Sequence, residues 1–188
     1  MADAAEPRTF LRADRYISER VSATLAHVDP TTIERVLELF ARAPKIFVYG
    51  AGRSGIIGRA FAMRLVQAGL SAYVIGESVT PIVRRGDLVV IFSNRGESYS
   101  SIATANIVRR EGADLLVVTG KAVSKLAHAA SLLIVLEIPE DAERAFLAPL
   151  GTLFEAASLR LSDALIAEWM RVRGETEDSM RRRHAIMV

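Results

Sequence analysis

Five short apolar segments constrain the fold of this 188-residue chain most strongly. They are rich in valine and isoleucine and do not alternate between polar and apolar residues, which is typical of strands covered on both faces. Helix-length stretches separate them, so they predict successive βαβ units and a three-layer α/β/α sandwich with a five-stranded parallel sheet. The predicted strands are Ile46–Tyr49, Ala72–Ile75, Asp87–Phe92, Leu115–Val118 and Leu132–Leu136.

Helical patterns flank these strands at both ends of the chain. Two N-terminal helices are predicted before the first strand, and a long apolar helix is predicted over Thr152–Val172, ended by Gly174 and followed by a short helix at 175–184. Charges and a proline at 137–148 predict a surface loop. We therefore divide the chain into an N-terminal arm and helix at 1–29, whose first seven residues are expected to fray, and a main domain with a C-terminal helical tail at 30–188.

Composition excludes several classes of protein. The absence of cysteine excludes disulfide frameworks and thiolate metal sites. The formal charge of +2, with one dense basic run at 181–184, argues against nucleic-acid binding. Because no apolar run reaches the length of a membrane span and the N-terminus has no signal-peptide core, we expect a cytoplasmic protein that does not bind membranes.

The sequence Gly50-Ala-Gly-Arg-Ser-Gly55 follows the first predicted strand and leads into a helix. Free backbone N–H groups and the helix dipole converge at such a turn, which makes it an anion site. Gly52 lets the backbone approach a ligand closely, and Arg53 and Ser54 add side-chain donors. We refer to residues 50–55 as the glycine turn.

The glycine turn also fits the dinucleotide fingerprint G-x-G-x-x-G, with Glu77 near the position of the ribose-binding acid. On the motif alone, nucleotide binding and phosphate binding are about equally supported. Three features favour the second: the Arg-Ser pair within the turn, the lack of a separate substrate domain, and a second polar turn after the third strand.

That second turn is Ser93-Asn-Arg-Gly-Glu-Ser-Tyr-Ser-Ser101, which we call the serine turn. It also connects a buried strand to a helix, so its hydroxyl and N–H groups could hold a phosphate. Helix capping by Ser98 or Ser100 is the alternative. Capping would account for one serine, whereas several hydroxyls beside Arg95 favour an anion.

Together the two turns resemble the paired serine loops of the SIS (sugar isomerase) domain family, and within it the hexulose-phosphate isomerases. Other matching segments extend the resemblance over residues 30–185. They are Ala62-Met-Arg-Leu65, Gly76-Glu-Ser-Val-Thr-Pro81, Ala148-Pro-Leu-Gly-Thr-Leu-Phe-Glu155 and Arg182-Arg-His-Ala185.

The resemblance implies a SIS fold, which is flavodoxin- or Rossmann-like, and a homotetramer or dimer of dimers that uses no metal or redox cofactor. Its reaction would convert a 3-hexulose 6-phosphate to fructose 6-phosphate through an enediol. Ser54, Ser93 and Ser98 would bind the phosphate, and Arg53 would lie beside the sugar. Glu155 would be the general base, and His184 a second acid/base group from a neighbouring subunit. A non-catalytic sugar-phosphate sensor and another SIS isomerase are the alternatives.

Two segments depart from the family pattern. The serine turn usually reads Ser-Gly-Ser-Gly-Glu-Thr, so Arg95 replaces a phosphate-binding serine. A guanidinium can still hold phosphate through two hydrogen bonds. The usual Asn-Leu-Glu ending is replaced by Ile186-Met-Val188.

Moving a carbonyl from C3 to C2 requires a group that takes a proton from one carbon and returns it to the next. A carboxylate held partly out of water suits this task, and Glu155 lies among apolar neighbours. However, Thr152 and Glu155 also have capping-box spacing, which on its own favours a structural role. Glu97 is a further candidate base or hydroxyl ligand, and Glu77 and Thr80 are held in reserve.

Overall fold

The computed structural model describes residues 8–185, so the predicted frayed tail at 1–7 and the atypical ending at 186–188 lie outside the described residues. The five strands are β1 (Ile46–Gly50), β2 (Ala72–Val74), β3 (Leu88–Ser93), β4 (Asp114–Thr119) and β5 (Leu132–Val135). The longer helices are α1 (Arg8–Ala26), α2 (Pro30–Arg42), α3 (Arg53–Gln67), α4 (Tyr99–Glu111) and α7 (Thr152–Arg173). The short helices are α5 (Lys125–Ala129), α6 (Arg144–Leu147) and α8 (Glu177–Arg182).

All five strands are parallel and lie in the order β2-β1-β3-β4-β5. The predicted five-stranded parallel sheet is therefore confirmed. The chain adds β2 on one side of β1 and then adds β3, β4 and β5 on the other side, so the order of strands switches between β1 and β3. Ligands of open α/β sheets bind at the carboxyl ends of the strands at such a switch point. Gly50 lies opposite Phe92 in this pair, so β1 and β3 end at nearly the same level.

Helices cover both faces of the sheet, which confirms the three-layer architecture. Successive residues of a strand point to opposite faces, and in β3 Val90 packs with α2, α3 and α7 whereas Val89 packs with α4 and α5. The ring of Trp169 on α7 meets that of Phe40 on α2 edge-on, with centroids 6.0 Å apart. α1 packs against α7, so the N-terminal helix belongs to the same core.

Two connections differ from the sequence-based expectation. No helix links β2 to β3, since residues 75–87 form turns and coil. The predicted surface loop at 137–148 contains α6, whose start is held by the Asp141 carboxylate, which accepts hydrogen bonds from the N–H groups of Glu143 (2.9 Å) and Arg144 (3.0 Å). Leu147 is then buried in the core, so the segment is held from both ends. None of the helices within residues 8–185 combines the length and apolarity that a membrane span requires.

Candidate active site

The glycine turn and the serine turn leave adjacent strands at the carboxyl edge of the sheet. The first follows β1 and the second follows β3, on the two sides of the point where the order of strands switches. Each leads directly into a helix whose first N–H groups have no acceptor within that helix. Two helix N-termini therefore lie side by side at this edge of the sheet, and we call the space in front of them the cleft.

Close backbone contacts fix the shape of the glycine turn. A Cβ on Gly55 would lie 2.5 Å from the carbonyl oxygen of Gly50, so both ends of the turn touch. Gly52 has a φ of +57° and is the N-cap of α3, where no side chain fills the cap. The side chain of Arg53 is largely exposed, and Ser54 is half-buried. The turn thus presents backbone donors and two polar side chains to the cleft.

The serine turn is held rigidly against β4 and α5. Gly96 has a φ of +67°, and any Cβ there would overlap the Ser124 hydroxyl. Ser93 is buried at the end of β3, and Ser98 is the N-cap of α4. The Ser98 side chain makes no capping hydrogen bond; its hydroxyl lies 3.3 Å from that of Ser100. Ser98 therefore occupies the capping position of α4 without its side chain capping the helix.

Glu155 lies at the start of α7 with its side chain only 12% exposed. Its Oε2 accepts a hydrogen bond from Arg53 Nε at 2.5 Å, although 102 residues separate the two in sequence. The predicted capping box is wrong, because Gly151 is the N-cap and Thr152 Oγ1 instead donates to the Pro149 carbonyl at 2.6 Å. One carboxylate oxygen thus meets the glycine turn, and the other lies beside Gly151 at the start of α7.

A cavity of about 490 Å³ lies between the serine turn and the start of α7, where Gly151 and Phe154 line it. Three of its polar lining residues are cations, which favours an anionic ligand. Sequence reasoning identified Arg95 but missed the others, although the position of Lys121 just after β4 marks it as a residue of the same sheet edge. The residues that line the cavity and are discussed below are Asn94, Arg95, Lys121, Glu140, Arg144 and Leu150.

His184 does not approach Glu155 within one chain. It is exposed and lines a groove with Arg64 and Gln67 at the C-terminal end of α3, whereas Ser54 lies at the other end. The fifteen residues from Arg53 to Gln67 are joined by fourteen helical steps, which correspond to about 21 Å along the helix axis. Any contact between His184 and the cleft would therefore have to come from another copy of the chain.

The segment that carries His184 is fastened to α3. Arg183 donates to both carboxylate oxygens of Glu175, at 2.9 and 3.0 Å, and to the Gln67 carbonyl at 3.0 Å. These hydrogen bonds, followed by one from Ser179, lower the pKa of Glu175 to about 2. The pair therefore stays charged at neutral pH and fixes the end of α8.

The reserve candidates are occupied by structural contacts. Glu77 pairs with Arg59 at 2.8 Å, and the Thr80 hydroxyl donates to the Val74 carbonyl at 2.5 Å. Glu97 accepts a hydrogen bond from the N–H of Lys125 at 3.1 Å, so it supports the serine turn from the α5 side. The remaining histidines, His27 and His128, are exposed and lie near carbonyl groups of their own helices.

Comparison with known proteins defines the class to which this site belongs. A sequence model of the SIS domain matches residues 39–159, which include both turns and Glu155. The chain therefore belongs to the SIS domain family.

Several of its relatives are named as one enzyme. The 3-hexulose-6-phosphate isomerase of Methylomonas aminofaciens is 35% identical over 174 residues, covering 89% of this chain and 96% of that one. The protein of the same name from Bacillus subtilis is 30% identical over 182 residues, covering 93% and 98%. A crystal structure from Methanococcus jannaschii, whose inferred function is the same isomerase, matches with a TM-score of 0.83 at 28% identity and covers 92% of this chain and 97% of that one.

Proposed function

We propose that this chain is a phosphosugar keto-isomerase that converts 3-hexulose 6-phosphate to fructose 6-phosphate. One observation carries the proposal: the shielded carboxylate of Glu155 accepts a hydrogen bond from Arg53 of the glycine turn, and the serine turn leaves the neighbouring strand at the same edge of the sheet. The relatives named as 3-hexulose-6-phosphate isomerases support this choice of substrate over other sugar phosphates.

The substrate phosphate would be held where the two helices begin. Ser54 from the glycine turn and Ser93 and Ser98 from the serine turn supply hydroxyl groups, and the N-termini of α3 and α4 supply free N–H groups. Arg95 provides a guanidinium from the cavity side, where Lys121 adds a second positive charge. Glycine at position 52 leaves room for the phosphate to approach the backbone.

Glu155 would move the proton between the two carbon atoms. Its carboxylate takes the proton from C2 of the 3-keto sugar, and the electron pair forms the C2–C3 double bond of an enediol as the C3 oxygen takes up a proton. The C2 hydroxyl then gives up its proton, so the two oxygen protonations balance. Return of that proton to C3 leaves the carbonyl at C2. Because the electrons move only within the sugar, the proposed reaction uses no redox cofactor. Arg53, exposed and hydrogen-bonded to Glu155, can exchange this contact for a sugar oxygen when substrate enters.

We further propose that the chain works as a homotetramer in which His184 of a neighbouring subunit completes the site as a second acid/base group. Large apolar side chains are exposed around the cleft, as expected of a surface that another subunit covers. They include Ile56, Val79, Ile82, Tyr99 and Phe146. Mixed tetramers made from two inactive variants, H184A and E155Q, should regain part of the activity. Light scattering that gives a monomer mass would contradict the assembly.

Deuterium exchange into fructose 6-phosphate tests the reaction itself. Incubated with the protein in D₂O, the sugar should acquire deuterium at C3, which NMR detects. E155Q should lower the exchange rate at least about a hundredfold, the low end of what a positioned base contributes. E168Q is the matched control, because Glu168 lies on the same helix in an exposed pair with Arg171.

The site of exchange separates the proposal from its alternatives. Deuterium at C1 alone would indicate an aldose–ketose isomerase of the same family. Binding of fructose 6-phosphate without any exchange would indicate a sugar-phosphate sensor. Full activity in E155Q would remove Glu155 from the role of base, whereas the substrate assignment would stand.

A further inference from the structure

The turn that precedes α7 has a strained backbone. Leu150 has a φ of +58° and is the one residue other than glycine with positive φ within residues 8–185. Side chains disfavour this left-handed conformation, so it persists only where neighbouring groups enforce it. The Leu150 side chain is 86% exposed, so packing of that side chain does not provide the support.

Arg144 provides a hydrogen bond that holds the strained turn. Its Nη2 donates to the Leu150 carbonyl at 2.9 Å, and its Nη1 pairs with Glu140. The Arg144 side chain is mostly buried, so the guanidinium is directed onto that carbonyl by its surroundings. The left-handed conformation of Leu150 is therefore supported by the hydrogen bond from Arg144.

The strained turn also bounds the carboxylate of Glu155. Gly151 follows Leu150 directly, and a Cβ on Gly151 would lie 2.8 Å from Glu155 Oε1 and 3.8 Å from Asn94 Nδ2. Displacement of Gly151 would thus change the position that the carboxylate can occupy. Strain of this kind is found where it fixes the geometry of a functional group.

Asp141 connects this arrangement to the rest of the fold. Its carboxylate accepts hydrogen bonds from the N–H groups of Glu143 and Arg144 at the start of α6. It also accepts one from the Tyr16 hydroxyl at 2.8 Å and pairs with Arg20. The support for Leu150 therefore begins on α1 and passes through α6 to the edge of the cleft.

We propose that Arg144 is a positioning residue: its hydrogen bond to the Leu150 carbonyl keeps the left-handed turn that places Gly151 against Glu155. The inference rests on the proposed function in one respect, namely that Glu155 transfers the proton. Arg144 also lines the cavity beside Lys121, so binding of the substrate by Arg144 is the competing explanation that the experiment must separate.

The test combines R144M with L150G. R144M should lower kcat for C3 exchange about tenfold, because small displacements of a reacting group are costly, and should leave KM within about twofold, since Ser54 and Ser98 are untouched. L150G added to R144M should restore kcat to near the wild-type value, because glycine adopts positive φ without support. R12M is the control, since Arg12 pairs with Glu143 on the same segment but does not reach the turn.

A second measurement does not depend on catalysis. Amide hydrogen exchange over residues 150–155 should be faster in R144M than in the wild type and should return towards the wild-type rate in the double variant. If the wild type exchanges no sugar proton, the proposed function fails, and this measurement still decides the role of Arg144. A raised KM that L150G does not correct, or unchanged amide exchange in R144M, would overturn the inference.

Discussion

Replacement of Gly55 with alanine tests whether the closed shape of the glycine turn is needed for anion binding. A Cβ at this position would lie 2.5 Å from the Gly50 carbonyl oxygen, and Cβ contacts below 3.0 Å essentially do not occur. The two ends of the turn must therefore separate by at least 3.0 − 2.5 = 0.5 Å. The N–H groups at the start of α3 would move with them.

The expected loss of stability follows from two opposing terms. Overpacking against backbone costs about 1 to 3 kcal/mol. Alanine in a helix recovers up to about 1 kcal/mol relative to glycine. Because Gly55 lies in the first turn of α3, this recovery is incomplete, and we expect a net loss of about 1 to 2 kcal/mol. Loss of one charge-assisted hydrogen bond to phosphate should in addition weaken binding about tenfold.

Unfolding and binding measured on the same protein separate these effects. Trp169 is the single tryptophan and is buried, so its fluorescence follows unfolding in urea. Calorimetry with fructose 6-phosphate gives the affinity. G174A is the matched control: Gly174 caps α7 with a φ of +66°, and nothing lies within 4 Å of a Cβ there. It should lose about 1 kcal/mol of stability and bind the sugar as the wild type does.

The reasoning fails if G55A binds fructose 6-phosphate as tightly as G174A does. Such a result would mean that the phosphate does not depend on the backbone donors of the glycine turn. If G55A binds the sugar more weakly but is as stable as the wild type, the turn accommodates the added Cβ without a loss of folding free energy, and only the expected destabilisation is wrong.

Three further predictions concern stability. G96A should cost about 2 kcal/mol or more, because its Cβ would overlap the Ser124 hydroxyl and φ is positive; thermal unfolding measures the loss. Y16F should cost about 1 kcal/mol through the lost hydrogen bond to Asp141. Burial, then that hydrogen bond, raises the pKa of Tyr16. The stability that the Tyr16 hydroxyl contributes is therefore complete below about pH 10 and declines as pH rises through the raised pKa of the folded state. A stability difference between wild type and Y16F that grows above about pH 10 would contradict this assignment. Arg183, and then Ser179, lower the pKa of Glu175 from 4.5 to about 2, so the stability that Glu175 contributes is present above pH 4.5 and is lost as pH falls towards 2. The gap between wild type and E175Q in urea titrations should therefore close over that range, and a constant gap would refute the assignment.

The sheet could be predicted from the sequence because each strand is apolar on both faces, a property that depends little on distant residues. The two turns were likewise recognisable, since strand, glycine and helix follow one another locally. The contact between Glu155 and Arg53 could not be recognised, because the two residues are 102 positions apart and meet only in the folded chain. The spacing of Thr152 and Glu155 instead suggested a helix cap that does not form.

Other parts of the site left no local signal. The hydrogen bonds from Asp141 to the start of α6 could not be recognised in the charged sequence at 137–148, where several residues could have made them. The positive φ of Leu150 is unusual for a leucine and follows from no propensity. His184 matched a family segment, but the sequence did not show that it lies beside the C-terminal end of α3, at the opposite end of that helix from the glycine turn.

The matched ends of β1 and β3 have a consequence for how this site can change in evolution. Adjacent strands lie about 4.8 Å apart whatever side chains they carry, and here Gly50 and Phe92 are direct neighbours. The separation of the two turns where they leave the sheet is thus set by the hydrogen-bonding pattern of the strands and not by the turns themselves. Side chains on either loop can be exchanged, as Arg95 for a serine, without altering that separation. If the two turns hold the phosphate as proposed, substrate preference can therefore change while the phosphate site keeps its dimensions.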